Sequence, residues 1–167
     1  SLNGKLFNID NSFDFTSEYE EYIEPKRLTG WERVDKTQTY YYINGFDSVN
    51  NTIEANYEID KTTYEKANYF STEEKAEEIN FKQTLLRKLQ RFSDENGGHE
   101  IDWNKSNKDK WMIKFDHESN ELCVGYNSYF KIFGQVYFIS KEIAEQAIES
   151  FHDELIKYFT GDFGGEA

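Results

Sequence analysis

The chain has 167 residues, 37% of them hydrophobic and 17% aromatic, with a formal net charge of −13. That length supports one domain with a proper core or two very small ones, and the excess of acid excludes non-specific nucleic-acid binding by the molecule as a whole, because a phosphate backbone needs clustered cations. No apolar run approaches the roughly 20 residues of a membrane-spanning helix, and the single cysteine, Cys123, excludes an intrachain disulfide.

The charge is unevenly placed. Residues 1–80 carry 8 Lys and Arg against 17 Asp and Glu, residues 81–114 carry 8 against 5, and residues 115–167 carry 3 against 10. Only the middle could attract a phosphate backbone. Elsewhere the acid suits solubility or a basic partner.

Residues 1–29 are expected to be an N-terminal extension. Their start has no basic region followed by an apolar stretch, so no secretory signal is expected there. Ser12 to Thr16 suits a short strand, and Tyr19, Tyr22 and Ile23, set among Glu18, Glu20, Glu21 and Glu24, suit one or two helical turns that end at Pro25. Residues 26–30 read as a linker.

A first strand–strand–strand–helix unit is expected over 30–98. Thr39 to Ile43 is β-branched and aromatic. Asn44-Gly45 is a turn signal, since both residues tolerate positive φ, and Asn50-Asn51 is a second candidate. Thr52 to Ile59 alternates, which predicts Ile53, Ala55, Tyr57 and Ile59 buried with Glu54, Asn56 and Glu58 wet. Asn68 to Phe70 is a short third strand. Ser71 with Glu74 three residues on has the form of a capping box. Ala76, Ile79, Leu85, Leu86, Leu89 and Phe92 then trace an amphipathic stripe, and Asn96-Gly97-Gly98 supplies the stop.

A second unit is expected over 99–167. Lys110 to Phe115 and Glu121 to Tyr126 read as a hairpin around a turn at Asp116 to Asn120. Phe130 to Phe133 and Gln135 to Phe138 read as strand on either side of a bulge or turn at Gly134. Ser140 caps a second helix whose buried face runs from Ile143 through Ala144, Ala147, Ile148, Phe151 and Leu155 to Phe159, ended by Gly161. Cys123, in mid-strand, reads as a small core residue.

The two units match most closely at Tyr69-Phe70 and Tyr137-Phe138, each followed by a hydroxyl cap, a Glu, an Ala-Glu pair and an Ile. Order and spacing together favour a divergent duplication over shared capping chemistry. The predicted fold is therefore α+β: two tandem βββα units sharing a mostly antiparallel sheet, with two amphipathic helices on one face.

No catalytic or cofactor-binding constellation is expected. His99, His117 and His152 are scattered, Asp116-His117-Glu118 falls on a turn, and there is no phosphate-cradling glycine loop. Two binding surfaces remain. One is acidic: Glu73, Glu74, Glu77 and Glu78 on the first helix, and Glu142, Glu145 and Glu149 on the second. The other is a basic band interleaved with aromatics, comprising Lys82, Arg87, Lys88, Arg91, Lys105, Lys108, Lys110 and Trp111, with Trp103 and Lys114 alongside. Cations beside rings can hold single-stranded nucleic acid, although the same residues also fit a solvated helix face over core tryptophans.

Gly30 to Val34, Tyr40 to Ile43, Asn68 to Phe70 with Thr72 to Glu77, Asp102 to Asn104, and Val136 to Phe138 with Ser140 to Glu145 give the pattern that resembles uncharacterised proteins common in phages and prophages of low-GC Gram-positive bacteria. The resemblance spans roughly residues 30–160 and implies a mobile-element accessory protein in a bacterial host cytoplasm. It carries over no activity or catalytic residue. The leading expectation is binding of a basic or nucleic-acid-binding protein through the acidic surface, with anti-defence action or nucleic-acid mimicry as forms of it. A nucleic-acid-associated role for the basic band and a virion or morphogenesis role are the alternatives.

Overall fold

Thr39–Ile43 (β1) and Val49–Ile53 (β2) pair antiparallel, with Tyr40 opposite Thr52 and Tyr42 opposite Asn50, in a computed structural model that describes residues 28–161. The strand and helical turns expected over 12–24 lie outside the described residues, as does all of the 1–29 extension except residues 28 and 29. The turn falls where Asn44-Gly45 predicts it: the Asn44 side-chain oxygen accepts from the Phe46 and Ser48 amides at 2.8 and 3.1 Å. Asn50-Asn51 makes no second turn and lies inside β2.

The strand expected over Thr52 to Ile59 is corrected. β2 ends at Ile53, and Glu58–Glu65 forms a helix (α1). The expected faces hold only in part: Asn56 and Glu58 are exposed as expected and Ala55 is half-buried, but the other positions depart from the alternation. Glu54 is 1% exposed, whereas Ile53, Tyr57 and Ile59 are 58%, 69% and 66% exposed. Glu54 turns inward because Arg33 and Tyr69, far away in sequence, reach its carboxylate.

Glu73–Glu95 (α2) is the long amphipathic helix. Thr72, not Ser71, is its N-cap: the Thr72 hydroxyl accepts from the Lys75 amide at 3.2 Å, while Ser71 Oγ turns to Glu32. Thr72→Ala is expected to cost about 1 kcal/mol, the usual value of a lost N-cap, and Ser71→Ala clearly less, as read by urea denaturation. Gly30 sits beside this start with φ +86° and its Cα against Lys75, where an added Cβ would fall 2.6 Å from the Lys75 Cβ. Only glycine fits there without a shift.

Lys110–Asp116 (β3) and Glu121–Asn127 (β4) form the second hairpin, in register from Lys110–Asn127 to Asp116–Glu121. Cys123 is exposed on it rather than in the core. The strands expected over 130–133 and 135–138 are absent. Tyr129, Phe130, Ile132 and Phe133 are exposed on a loop, and Gly134 takes φ +75° at its turn. The predicted single last helix is two, Lys141–Ser150 (α3) and His152–Thr160 (α4), broken at Phe151 with φ −125° and ψ 24°. Ser140 caps α3 by accepting from the Ile143 amide, and Gly161 ends α4 in the left-handed region, as expected.

The described residues thus form an α+β fold of four α-helices and two separate two-stranded antiparallel sheets, not one shared sheet. In place of a third strand, each hairpin has a single antiparallel bridge, Tyr41–Phe70 in the first and Trp111–Phe138 in the second. The main core is built by Leu85 and Leu89 of α2, Ile113 of β3, Phe138, Ala144 and Ala147 of α3, and Leu155 of α4. α2 also packs on β1 and β2, and its Leu85 and Leu89 share the main core with Ile113 of β3, so α2 meets both hairpins.

Candidate partner-binding surface

Beside the first hairpin is a buried polar network. Arg33 grips Glu54 with two hydrogen bonds of 3.0 Å, and Tyr69 Oη and the Asn56 amide donate to the same carboxylate at 2.9 and 2.7 Å. These donors, Arg33 first, hold the Glu54 carboxyl down to about 2. Tyr40 stacks on Tyr69 with ring centroids 3.9 Å apart and donates to Asp60 Oδ1 at 3.0 Å. Burial, aided by Asp60, pushes the Tyr40 hydroxyl up to about 12, and burial likewise raises Tyr69. Asp60 Oδ2 accepts from the Ala55 and Tyr57 amides. Each carboxylate is therefore saturated by internal donors and acts as a structural tie between hairpin and α1.

Above this network a cleft of about 480 Å³ opens between β1–β2 and α1, lined by Tyr40, Tyr42, Thr52, Ile53, Tyr57 and Ile59 among others. Asn68, also in the lining, is committed: its side chain exchanges two hydrogen bonds with the Ile43 backbone, at 2.9 and 2.8 Å. The cleft offers rings and aliphatic side chains on a floor of satisfied polar groups. That suits an apolar side chain better than a polar small molecule.

The acidic residues predicted from sequence lie on α2 and α3. Glu73, Glu74 and Glu77 are exposed with no ion-pair partner among the described residues, and so is Glu149. Glu78 is bridged by Lys75 and Lys82 at 2.8 and 2.5 Å. Burial works to raise its carboxyl, but the two lysines outweigh it and bring it below its ordinary value. Glu145 pairs with Lys141, and Glu142 is drawn to its own helix start, its carboxyl lowered by its own amide and by Ser140.

The structure does not gather the basic band into one surface. Lys82 pairs with Glu78, Arg87 with Asp47, Lys88 with Glu154 and Lys105 with Asp102. Lys110 is 1% exposed, donates to the Lys105 and Ser128 carbonyls and lies 5.5 Å from the Trp103 ring centre. Trp111 is half-buried beside the main core and packs on Tyr126. Arg91 and Lys108 are exposed with no acidic partner among the described residues.

A second apolar surface, missed from the sequence, is the loop after β4. Tyr137 Oη accepts from the Ile132 amide and donates to the Phe130 carbonyl, and Asn127 Oδ1 accepts from the Tyr129 and Phe130 amides. The loop backbone is thus tied down while its aromatic side chains face water. Among the described residues no group of three or more His, Cys, Asp or Glu is placed to hold a metal ion, and no helix is long and apolar enough to cross a membrane. Comparison of the chain with models of protein families, with curated proteins and with solved structures gives no match.

Proposed function

We propose that the chain is a protein-binding module that engages a basic partner through its acidic surface, and that it serves a phage or prophage as an accessory protein in the host cytoplasm. The observation that carries this reading is an asymmetry of pairing. Glu73, Glu74, Glu77 and Glu149 are exposed and without ion-pair partners among the described residues, while most cations of the basic band are engaged internally. A charge already facing a neighbour presents less field to an approaching polymer than an unpaired one. The outward potential is therefore acidic, as the net charge of −13 requires.

Two features support divergent duplication as the origin of the fold. Tyr69-Phe70 and Tyr137-Phe138 occupy matching places, each Phe forming the lone bridge to its hairpin and each followed after one residue by the hydroxyl that caps a helix. In each, the preceding Tyr hydroxyl fixes the segment that follows the hairpin.

Replacing Glu73, Glu74 and Glu77 together by Lys is expected to weaken binding to a Lys/Arg-rich peptide by about tenfold or more. The same charge change at Glu65, Glu118 and Glu121 is expected to weaken it far less. Equal loss from both sets, measured by fluorescence anisotropy, would show only a diffuse attraction to net charge and would remove this surface from the account.

A further inference from the structure

We infer that the outer edge of β2 is a docking site for an extended, basic polypeptide segment of a partner protein, which adds to the first hairpin as a strand and places an apolar side chain in the cleft under α1. This rests on the partner-binding reading above and gives that partner a conformation.

The hydrogen-bond pattern identifies the edge. Tyr41 exchanges both backbone bonds with Phe70, at 2.8 and 2.9 Å, so its N–H and C=O face away from β2. Tyr40 and Tyr42 therefore face β2, opposite Thr52 and Asn50. The Ser48 carbonyl accepts from Asn44 and the Glu54 amide donates to Gln38, which continues the same alternation at both ends. The intervening residues Val49, Asn51 and Ile53 point their backbone groups outward, with no backbone partner among the described residues.

An open edge is a template for another strand, and proteins usually blunt one with Lys, Pro or a bulge. β2 reads Val-Asn-Asn-Thr-Ile and carries none of these. Beside it the cleft is walled by exposed Tyr57 and Ile59, with Thr52 on the hairpin side. A strand laid along β2 presents alternate side chains on the Thr52 face, toward that opening. Backbone bonds then supply affinity and the cleft selects an apolar residue, as in strand-addition recognition generally. Charge decides the occupant. A second copy carries the same net charge of −13 and is repelled as a whole, whereas a basic segment is attracted.

Asn51→Pro tests the edge, because it deletes an outward N–H and leaves the bonds to β1 in place. Short random peptides are selected by display against the wild-type chain at low salt, and the selected peptides are used as probes. The expected winners alternate apolar and polar residues, carry Lys or Arg, shift the Asn51 and Ile53 amide resonances of the wild type, and bind Asn51→Pro at least about tenfold more weakly. The inference is overturned if the winners bind Asn51→Pro equally, shift only other amides such as those of Tyr129 to Phe133, or bind as helices, or if none is selected. A wild-type dimer in sedimentation that Asn51→Pro abolishes would assign the edge to a second copy and also overturn it. The resonance shifts are read on the wild type and stand even if Asn51→Pro fails to fold. Binding lost on Glu73, Glu74 and Glu77 reversal but kept in Asn51→Pro would sink the edge and spare the acidic surface; the opposite pattern would do the reverse.

Discussion

Phe138→Ala is expected to destabilise the protein by about 4 kcal/mol, the range for deleting a fully buried aromatic ring. Phe138 is 1% exposed and belongs to the main core with Leu85, Leu89, Ile113 and Leu155. Its ring meets Phe92 edge to face at 6.5 Å between centroids, and its backbone forms the one bridge to β3 at Trp111. The truncation therefore removes transfer energy, leaves a hole among side chains from four helices and strands, and loosens the joint between hairpin and α3. Phe70→Ala is the matching test in the first hairpin. Phe70 is equally buried and packs against Trp31, 5.0 Å between centroids, but it stands outside the main cluster. Its loss is expected to be smaller, about 3 kcal/mol. Urea unfolding of both variants checks the order; a Phe138→Ala loss under about 1 kcal/mol would mean that the core does not converge on this ring.

Glu54→Gln is expected to cost about 2 kcal/mol at neutral pH, because it removes a buried charged acceptor from four donors, while Arg33, 30% exposed, keeps access to water. Gln keeps the shape but cannot accept both Arg33 bonds, the Tyr69 hydroxyl and the Asn56 amide as a carboxylate does. The pH dependence follows from the sign of the shift. The Glu54 carboxyl is lowered from 4.5 to about 2 by folding, so its contribution is complete above about 4.5 and is lost as pH falls through the window down to about 2. Glu32, also drawn down to about 2 by the Thr29 and Gly30 donors, titrates in the same window. The gap between wild type and Glu54→Gln should therefore narrow on acidification. A gap that stays constant between pH about 5 and about 2.5 would show that the carboxylate is not the group that matters.

The parts legible in the sequence were those whose signal is local. The β3–β4 hairpin is legible through the Asp116 to Asn120 turn between two strand-like runs, and α2 through a stripe that Asn96-Gly97 closes. The parts that were not legible depend on distant partners. Glu54 looked wet because Arg33 and Tyr69, the residues that bury it, lie 21 and 15 positions away. α1 was hidden because it has no apolar stripe; its one buried residue is Asp60, which ties it to Tyr40. Each third strand shrank to one bridge; in the first unit the Asn68 side-chain amide takes both backbone groups of Ile43, where a ladder would continue. The break at Phe151 has no glycine or proline to mark it. The candidate site was half legible. The acids on α2 are nameable from the sequence, but the lack of partners at Glu73, Glu74 and Glu77 and the internal commitment of Lys82, Arg87, Lys88 and Lys110 need the fold. The open edge of β2 needed it too, because it depends on which side of β1 Phe70 takes.

The most direct test sets the two polymers against each other. A labelled Lys/Arg-rich peptide and a labelled single-stranded oligonucleotide of equal length are titrated with the protein at about 50 mM and about 300 mM salt, below and above the range where exposed charges are strongly screened. An acidic binding surface predicts peptide binding that weakens at the higher salt and no measurable affinity for the oligonucleotide. Oligonucleotide binding with the peptide left free would contradict it.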